Sequence, residues 1–247
     1  MTGFSSRAAI LTGATRGIGN GIFRALISRG VRVATLYHRD DDSARAFIQA
    51  AAAAGVQSHI ARVDVADLGQ LEAFVTSSLQ AFGRLDYPIN NVGVNIFKPI
   101  SDLSVEEWRI SQDIMLNAPF VLSRLVLPAM RAQRFGRIIN IGGSSRNYLH
   151  GQPGVAAFGV HKAALMVLTR TLALEEIPNG ITVNMVAPGS TKDAGDVPEG
   201  QRIPIDRIPL GRRVEIEEVV EAVLYFLSEK SASVTGQCLG VNGGLST

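Results

Sequence analysis

Residues 8–19, AAILTGATRGIG, decide the fold. The opening run, Ala8, Ala9, Ile10 and Leu11, is apolar without alternation, as a strand buried on both faces requires. Gly13, Gly17 and Gly19 follow, spaced for a sharp backbone turn into a helix that continues beyond Gly21. Such a turn leaves backbone N–H groups and the positive end of a helix dipole facing outward, where a pyrophosphate can dock. The motif is short, and its weight comes from context: a strand before it, a helix after it and a second apolar run at 31–36. Stripped of that context, the same residues would be a tight strand-to-helix turn with no ligand.

The alternation continues along the chain. Apolar runs at 8–12, 31–36, 58–63, 85–90, 136–142, 181–186 and 238–241 read as strands. Helical periodicity falls at 17–29, 41–54, 67–82, 104–132, 155–177 and 215–228. Strands alternating with helices predict an α/β fold, a doubly wound parallel sheet flanked by helices, in a single domain over 1–247. In that class ligands bind at the carboxyl ends of the strands, near the switch point. Segment 189–213, GSTKDAGDVPEGQRIPIDRIPLGRR, is long and rich in glycine, proline and charge, and reads as a substrate loop stiffened by Pro198, Pro204 and Pro209.

Composition narrows the function classes. A chain of 247 residues, 46% of them hydrophobic, is long enough for one sizeable core. A net charge of +2 with scattered basic residues argues against nucleic acid. No apolar run approaches the ~20 residues of a membrane span, so no membrane is expected. The first residues, MTGFSSR, lack the apolar stretch of a secretory signal, and a cytoplasmic location is expected. Cys238 is the only cysteine, which excludes disulfides within the chain and predicts no metal cluster.

Tyr37, His38 and Arg39 follow the second strand, where an acid would otherwise hold an adenosine ribose 2′-hydroxyl. A cation there, with Arg16 in the glycine turn, suits a 2′-phosphate, so NADP(H) is favoured over NAD(H). Asp40, Asp41 and Asp42 come close behind, but acids also suit the start of the next helix. Asp64, ending the third strand, reads either as an acceptor for adenine N6 or as a turn aspartate. Asn90, Asn91 and Gly93 end the fourth strand on the same edge.

TGATRGIG (12–19), Asp64–Val65, NNVG (90–93), a serine upstream of a helix carrying Lys162, APG (187–189) and TGQCLGVNGG (235–244) occur in one order. In that order the chain resembles the short-chain dehydrogenase/reductases, in the style of bacterial 3-oxoacyl-carrier-protein reductases. The resemblance covers essentially the whole chain. It implies a Rossmann-type domain, a nicotinamide cofactor, a small or acyl-carrier-bound substrate, and a homo-oligomer, often a tetramer. It assigns cofactor contacts to Gly13, Thr15, Arg16, Gly17, Ile18, Gly19, Arg39, Asp64, Val65, Asn91, Gly93, Lys162, Pro188 and Gly189.

The family's chemistry uses an Asn, a Ser, a Tyr and a Lys. The tyrosine protonates the new alkoxide, the lysine lowers its pKa and holds the nicotinamide ribose, the serine polarises the carbonyl, and the asparagine anchors a water. Here the tyrosine–lysine element reads Phe158-Gly159-Val160-His161-Lys162: the lysine is present and the phenol is not. Ser145 stands thirteen residues before Phe158, as the family's serine does, with Ser144 as its rival. Met115 occupies the asparagine position in QDIMLNAPFVLS (112–123), while Asn117, about 200° further round a regular helix, faces elsewhere.

A positioned general acid contributes about 10²–10⁴ in rate. Tyr148 is the first substitute donor, with packing in its loop as its other reading. His150 is a second loop candidate or a solvated histidine. His161 is turned about 100° off the active face. Three readings follow. The chain is a working NADP(H) reductase whose proton comes from Tyr148, Ser145, water or the substrate. Alternatively, it is a degenerate subunit supporting an active paralogue in a mixed oligomer, packed through 104–132 and 155–177. Or Phe158 is an engineered replacement of tyrosine, against which Met115 argues, since one change suffices. Arg202, Arg207, Arg212 and Arg213 meet an acidic carrier or its phosphopantetheine arm, or form a solvated basic edge.

Overall fold

β1 (Ala8–Thr12), β5 (Gly136–Ile141) and β6 (Ile181–Pro188) are buried along their whole length. Strands apolar on both faces need two covers. Both are present in the computed structural model, which describes residues 4–143, 151, 153–192 and 202–245. β2 (Arg32–Tyr37), β3 (Ser58–Arg62), β4 (Tyr87–Asn90) and β7 (Cys238–Val241) complete a seven-stranded sheet. Its order is β3-β2-β1-β4-β5-β6-β7, and every neighbouring pair is parallel.

On one face Phe23 and Leu26 of α1 (Gly17–Ile27) meet Val219, Val223 and Phe226 of α7 (Ile216–Leu227), with Phe47 of α2 (Asp41–Ala53) at the margin. On the other lie α3 (Leu68–Phe82), α5 (Ala118–Gln133) and α6 (Ala156–Glu176), joined through Leu71, Phe74, Leu122, Val126, Met130 and Leu172. Ala9 and Leu11 belong to the first layer, Ala8 and Ile10 to the second, as strand alternation demands. Each such large side chain, fully buried, stabilises the fold by about 1.5–3 kcal/mol. By length and composition 105–133 and 156–179 would pass for membrane spans, but about half of each apolar stretch is buried within the domain.

The sheet is the expected one, with shifts at its strand ends. β2 runs one residue later than read, and β6 continues to Pro188, which pairs with Val241. β4 begins at Tyr87 rather than at 85, because the buried Asp86 carboxylate accepts from Ala8 N at 2.9 Å and Arg84 Nε at 2.8 Å.

The expected single helix over 104–132 is broken. α4 (Val105–Gln112) starts at a reciprocal cap between Ser104 and Glu107, and a π-helical turn (Asp113–Asn117) separates it from α5. Pro119, at the start of α5, has no N–H to give the carbonyl four residues back, so the regular ladder cannot run through. The chain passes from β1 to β2 and β3 on one side, then returns to β4 on the other. A crevice therefore opens at the carboxyl ends between them.

Candidate active site

The carboxyl ends of β1 to β6 line a cleft of about 680 Å³, a size typical of cofactor sites. At its centre the glycine turn is fixed by packing. Gly13 sits at φ +72°, and a Cβ on Gly19 would fall 1.9 Å from the Gly13 carbonyl oxygen. Thr12 Oγ1 accepts from the N–H groups of Asn91 at 2.9 Å and Val92 at 3.2 Å. Asn91 Nδ2 in turn donates to the carbonyls of Thr12 at 3.0 Å and Gly13 at 2.8 Å. Asn91 thus clamps the turn with its side chain and also lines the cleft, where the resemblance gives it to the cofactor. Thr12, which the sequence reading passed over, is the hub of that clamp.

This turn delivers α1 to the cleft with nothing on its end. α2, α3 and α4 begin at side-chain caps from Asp40, Asp67 and Ser104, and at α7 the Glu218 carboxylate accepts from Glu215 N; α6, like α1, has no capping side chain. α1 has neither a capping side chain nor an acid in its first turn. Its orphan N–H groups and dipole suit the pyrophosphate of a dinucleotide. Thr15, Arg16, Ile18 and Gly19 line the cleft around it, while Gly17 sits just behind the lining at φ +55°.

At the β2–β3 end Tyr37, His38, Asp64 and Val65 form the wall. Arg39, exposed beside His38, does not reach the lining. Asp64 Oδ1 accepts from Ala66 N at 3.0 Å, the turn-aspartate geometry, and its Oδ2 lies 3.8 Å from His38 Nε2.

At the β5–β6 end Lys162 of α6 is 2% exposed and donates from Nζ to the Ile141 carbonyl at 2.6 Å. Burial, with no carboxylate among the described residues to offset it, pushes its pKa down to about 8. Phe158, one turn earlier, also lines the cleft, its ring centroid 5.9 Å from Nζ. Met115 is fully buried in the π-helical turn, and it and Lys162 flank Gly93: a Cβ there would lie 3.9 Å from Met115 Sδ and 3.8 Å from Nζ. Asn117 faces away from this group, its amide donating to Asp113 Oδ1 at 2.7 Å.

A buried chain runs beneath the lysine, from Asn90 Nδ2 to Asn140 Oδ1 (2.7 Å) and from Asn140 Nδ2 to Thr169 Oγ1 (2.8 Å). It ties β4 and β5 to α6 and fixes the helix that carries Lys162. Asn140 was legible as a lone amide inside an apolar strand, but was not singled out. Pro188 and Gly189 line the β6 end, where a Cβ on Gly189 would meet the Asn242 Cα at 2.6 Å. His161 lies away from the cleft, packed on Trp108 between α4 and α6, with Nδ1 3.0 Å from Ser111 Oγ; burial lowers its pKa. Ser144, Ser145, Tyr148 and His150 fall outside the described residues, as does 193–201 of the substrate loop.

The cleft therefore offers an anion-receptive helix end, a buried titratable ammonium and an apolar wall where the resemblance expects a phenol. A family model described as enoyl-(acyl carrier protein) reductase matches residues 13–246. A 3-oxoacyl-(acyl-carrier-protein) reductase of Synechocystis sp. is 32% identical, over 99% of this chain and 99% of its own. An acetoacetyl-CoA reductase of Acinetobacter sp. is 35% identical over 97% of each chain. Among solved structures, a mutant short-chain dehydrogenase/reductase from Serratia marcescens superposes with a TM-score of 0.91 at 30% identity, over 99% of this chain and 100% of that one. With motif order, sheet order and near full-length similarity in agreement, the chain belongs to the short-chain dehydrogenase/reductase family of oxidoreductases.

Proposed function

We propose that the chain is an NADP(H)-dependent oxidoreductase interconverting a carbonyl and a hydroxyl on a ketone of the 3-oxoacyl kind, small or carrier-bound. The observation that carries this reading is the meeting, in one cleft, of an uncapped glycine-rich helix start and a buried lysine. Arg16 and His38 support a 2′-phosphate at the β2–β3 end, with Asp64 the one carboxylate in the described lining. The printed names of the relatives, acting on 3-oxoacyl and acetoacetyl groups, support a 3-oxo substrate.

The first turn of α1, Arg16, His38, Gly93 and Lys162 would hold the dinucleotide, which when bound supplies the hydride chemistry. The chain's own task is the proton. Sequence reading offered Tyr148 and Ser145, which lie outside the described residues. Among those described, we assign the donor role to Lys162. Its Nζ is oriented by the Ile141 carbonyl, and with a pKa of about 8 it holds a transferable proton at neutral pH. Val160, Val167 and Leu174 on α6 and Phe120 on α5 are exposed apolar side chains, which supports an oligomer, a tetramer in our reading, packed through these helices in the cytoplasm.

A second reading keeps one observation in its favour. Phe158 and Met115 close the lysine site with apolar bulk, as in a subunit that supports an active paralogue in a mixed oligomer. NADPH oxidation with short β-ketoacyl thioesters separates the two, run on the chain beside Phe158→Tyr/Met115→Asn. Turnover by the unaltered chain establishes an enzyme with a substitute donor. Turnover only after the double change sinks that reading in favour of the supporting subunit.

A further inference from the structure

We propose that the β5–β6 end of the cleft recognises an anionic group, a carboxylate or phosphate carried on the carbonyl compound itself, through Arg213. The proposal rests on the reading of the cleft as a carbonyl site and adds the charge of its occupant. Two consecutive arginines have opposite fates here. Arg212 turns outward and donates from both Nη atoms to the Glu218 carboxylate, at 2.9 Å and 2.9 Å. Arg213 turns into the cleft, where Nη1 donates to Ser190 Oγ and, at 3.4 Å, to the Ile203 carbonyl. No carboxylate among the described residues pairs with it, and no described residue uses its Nη2 or Nε.

The guanidinium and its serine partner are anchored in the fold. Val214 N donates to the Ser190 carbonyl at 3.0 Å, and Gly189 N to the Val241 carbonyl at 2.9 Å, so the arginine and its serine are tied to the end of β6. Four strand spacings lie between β6 and β2, about 19 Å. Arg213 is therefore out of reach of the adenosine end, where Asp64 supplies the one carboxylate of the described lining. At this end the described lining holds Lys162, the apolar Phe97, Phe158 and Ile203, and the hydroxyls of Ser190 and Thr191, with no carboxylate. A planar guanidinium with its Nη2 and Nε N–H groups unspent, set in an apolar-walled cleft, fits a carboxylate or phosphate and offers a neutral ketone nothing comparable.

The test is calorimetric titration of the full chain, with and without NADP⁺, using two matched pairs of probes. Acetoacetate is compared with methyl acetoacetate, and hydroxyacetone phosphate with hydroxyacetone; the two pairs tell a carboxylate site from a phosphate site. We expect at least one anion to bind roughly tenfold or more tightly than its neutral counterpart. Arg213→Leu should erase that preference and Arg213→Lys retain part of it, with NADP⁺ affinity unchanged in both. Equal binding of anion and neutral probe by the unaltered chain overturns the proposal, whatever the variants do. So does a preference that survives Arg213→Leu. Anion preference without reduction of any ketone by NADPH would instead overturn the reductase reading and leave the anion site standing.

Discussion

Replacing Lys162 by methionine should make the cofactor-free protein more stable, and the size of the gain follows from burial. The ammonium is 2% exposed, with one carbonyl partner and a pKa of about 8 against an ordinary 10.5. Because the folded pKa is depressed, the folded state binds fewer protons than the unfolded one between pH 8 and 10.5. Stability therefore rises with pH across that window. Below pH 8 the full penalty applies, about 3 kcal/mol. Methionine keeps the length and removes the charge, but forfeits the bond to Ile141, worth about 1 kcal/mol. The net gain at pH 7 is about 2 kcal/mol, or a Tm rise of roughly 4–8 °C for a chain of this size. Thermal melts at half-unit steps from pH 7 to 10.5 measure it. The gain should shrink steadily above pH 8 and vanish by 10.5. A variant no more stable than the parent at pH 7, or a gain independent of pH, would refute the reasoning.

The same lysine sets a limit on turnover. If Nζ donates the proton, kcat/KM for ketone reduction is flat below pH 8 and falls tenfold per unit above it; a plateau reaching pH 9.5 assigns the proton elsewhere. Gly19→Ala places a Cβ 1.9 Å from the Gly13 carbonyl oxygen and 2.7 Å from Asn91 Nδ2, so the turn must reopen. NADPH affinity, followed by nucleotide fluorescence, should drop by about tenfold or more, and unchanged affinity would detach the turn from the cofactor. Asp86→Asn removes the fully buried charge that holds Arg84 and the Ala8 amide at the opposite end of the sheet. Urea unfolding should show a loss of about 3 kcal/mol, with NADPH affinity unaltered.

Most of the fold was legible because a sheet covered on both faces writes its strands as uninterrupted apolar runs, and nothing else in the chain competes with that signal. What was lost lay in register and in backbone chemistry. At the end of β2, Tyr37 and His38 line the cleft while Arg39 stays exposed, a difference of orientation that sequence order alone does not give. The break between α4 and α5 was hidden because Pro119 sits where a helix start tolerates proline, so the apolar periodicity reads through it. Asn91, a polar residue at a strand end, lines the cleft, and the hydrogen bonds from its side chain to the glycine turn are visible only in three dimensions.

Lys162 also bears on the choice between a working enzyme and a supporting subunit. Phe158 and Met115 leave the lysine without the phenol it serves in the family, and among the described residues no carboxylate pairs with it. A chain with only a packing role would carry about 3 kcal/mol of burial penalty there for nothing, a large fraction of a typical domain's margin. Methionine or leucine would fill the same space more stably. A destabilising charge, oriented by the Ile141 carbonyl and underpinned by the Asn90–Asn140–Thr169 chain, marks a site held ready for a ligand rather than for a neighbouring helix. The asymmetry of the cleft points the same way. Its acid lies at the end assigned to adenosine, and its buried lysine and the inward-facing Arg213 at the end where the carbonyl would sit. That separation has a use in the proposed reductase acting on a charged ketone and none in a purely structural subunit.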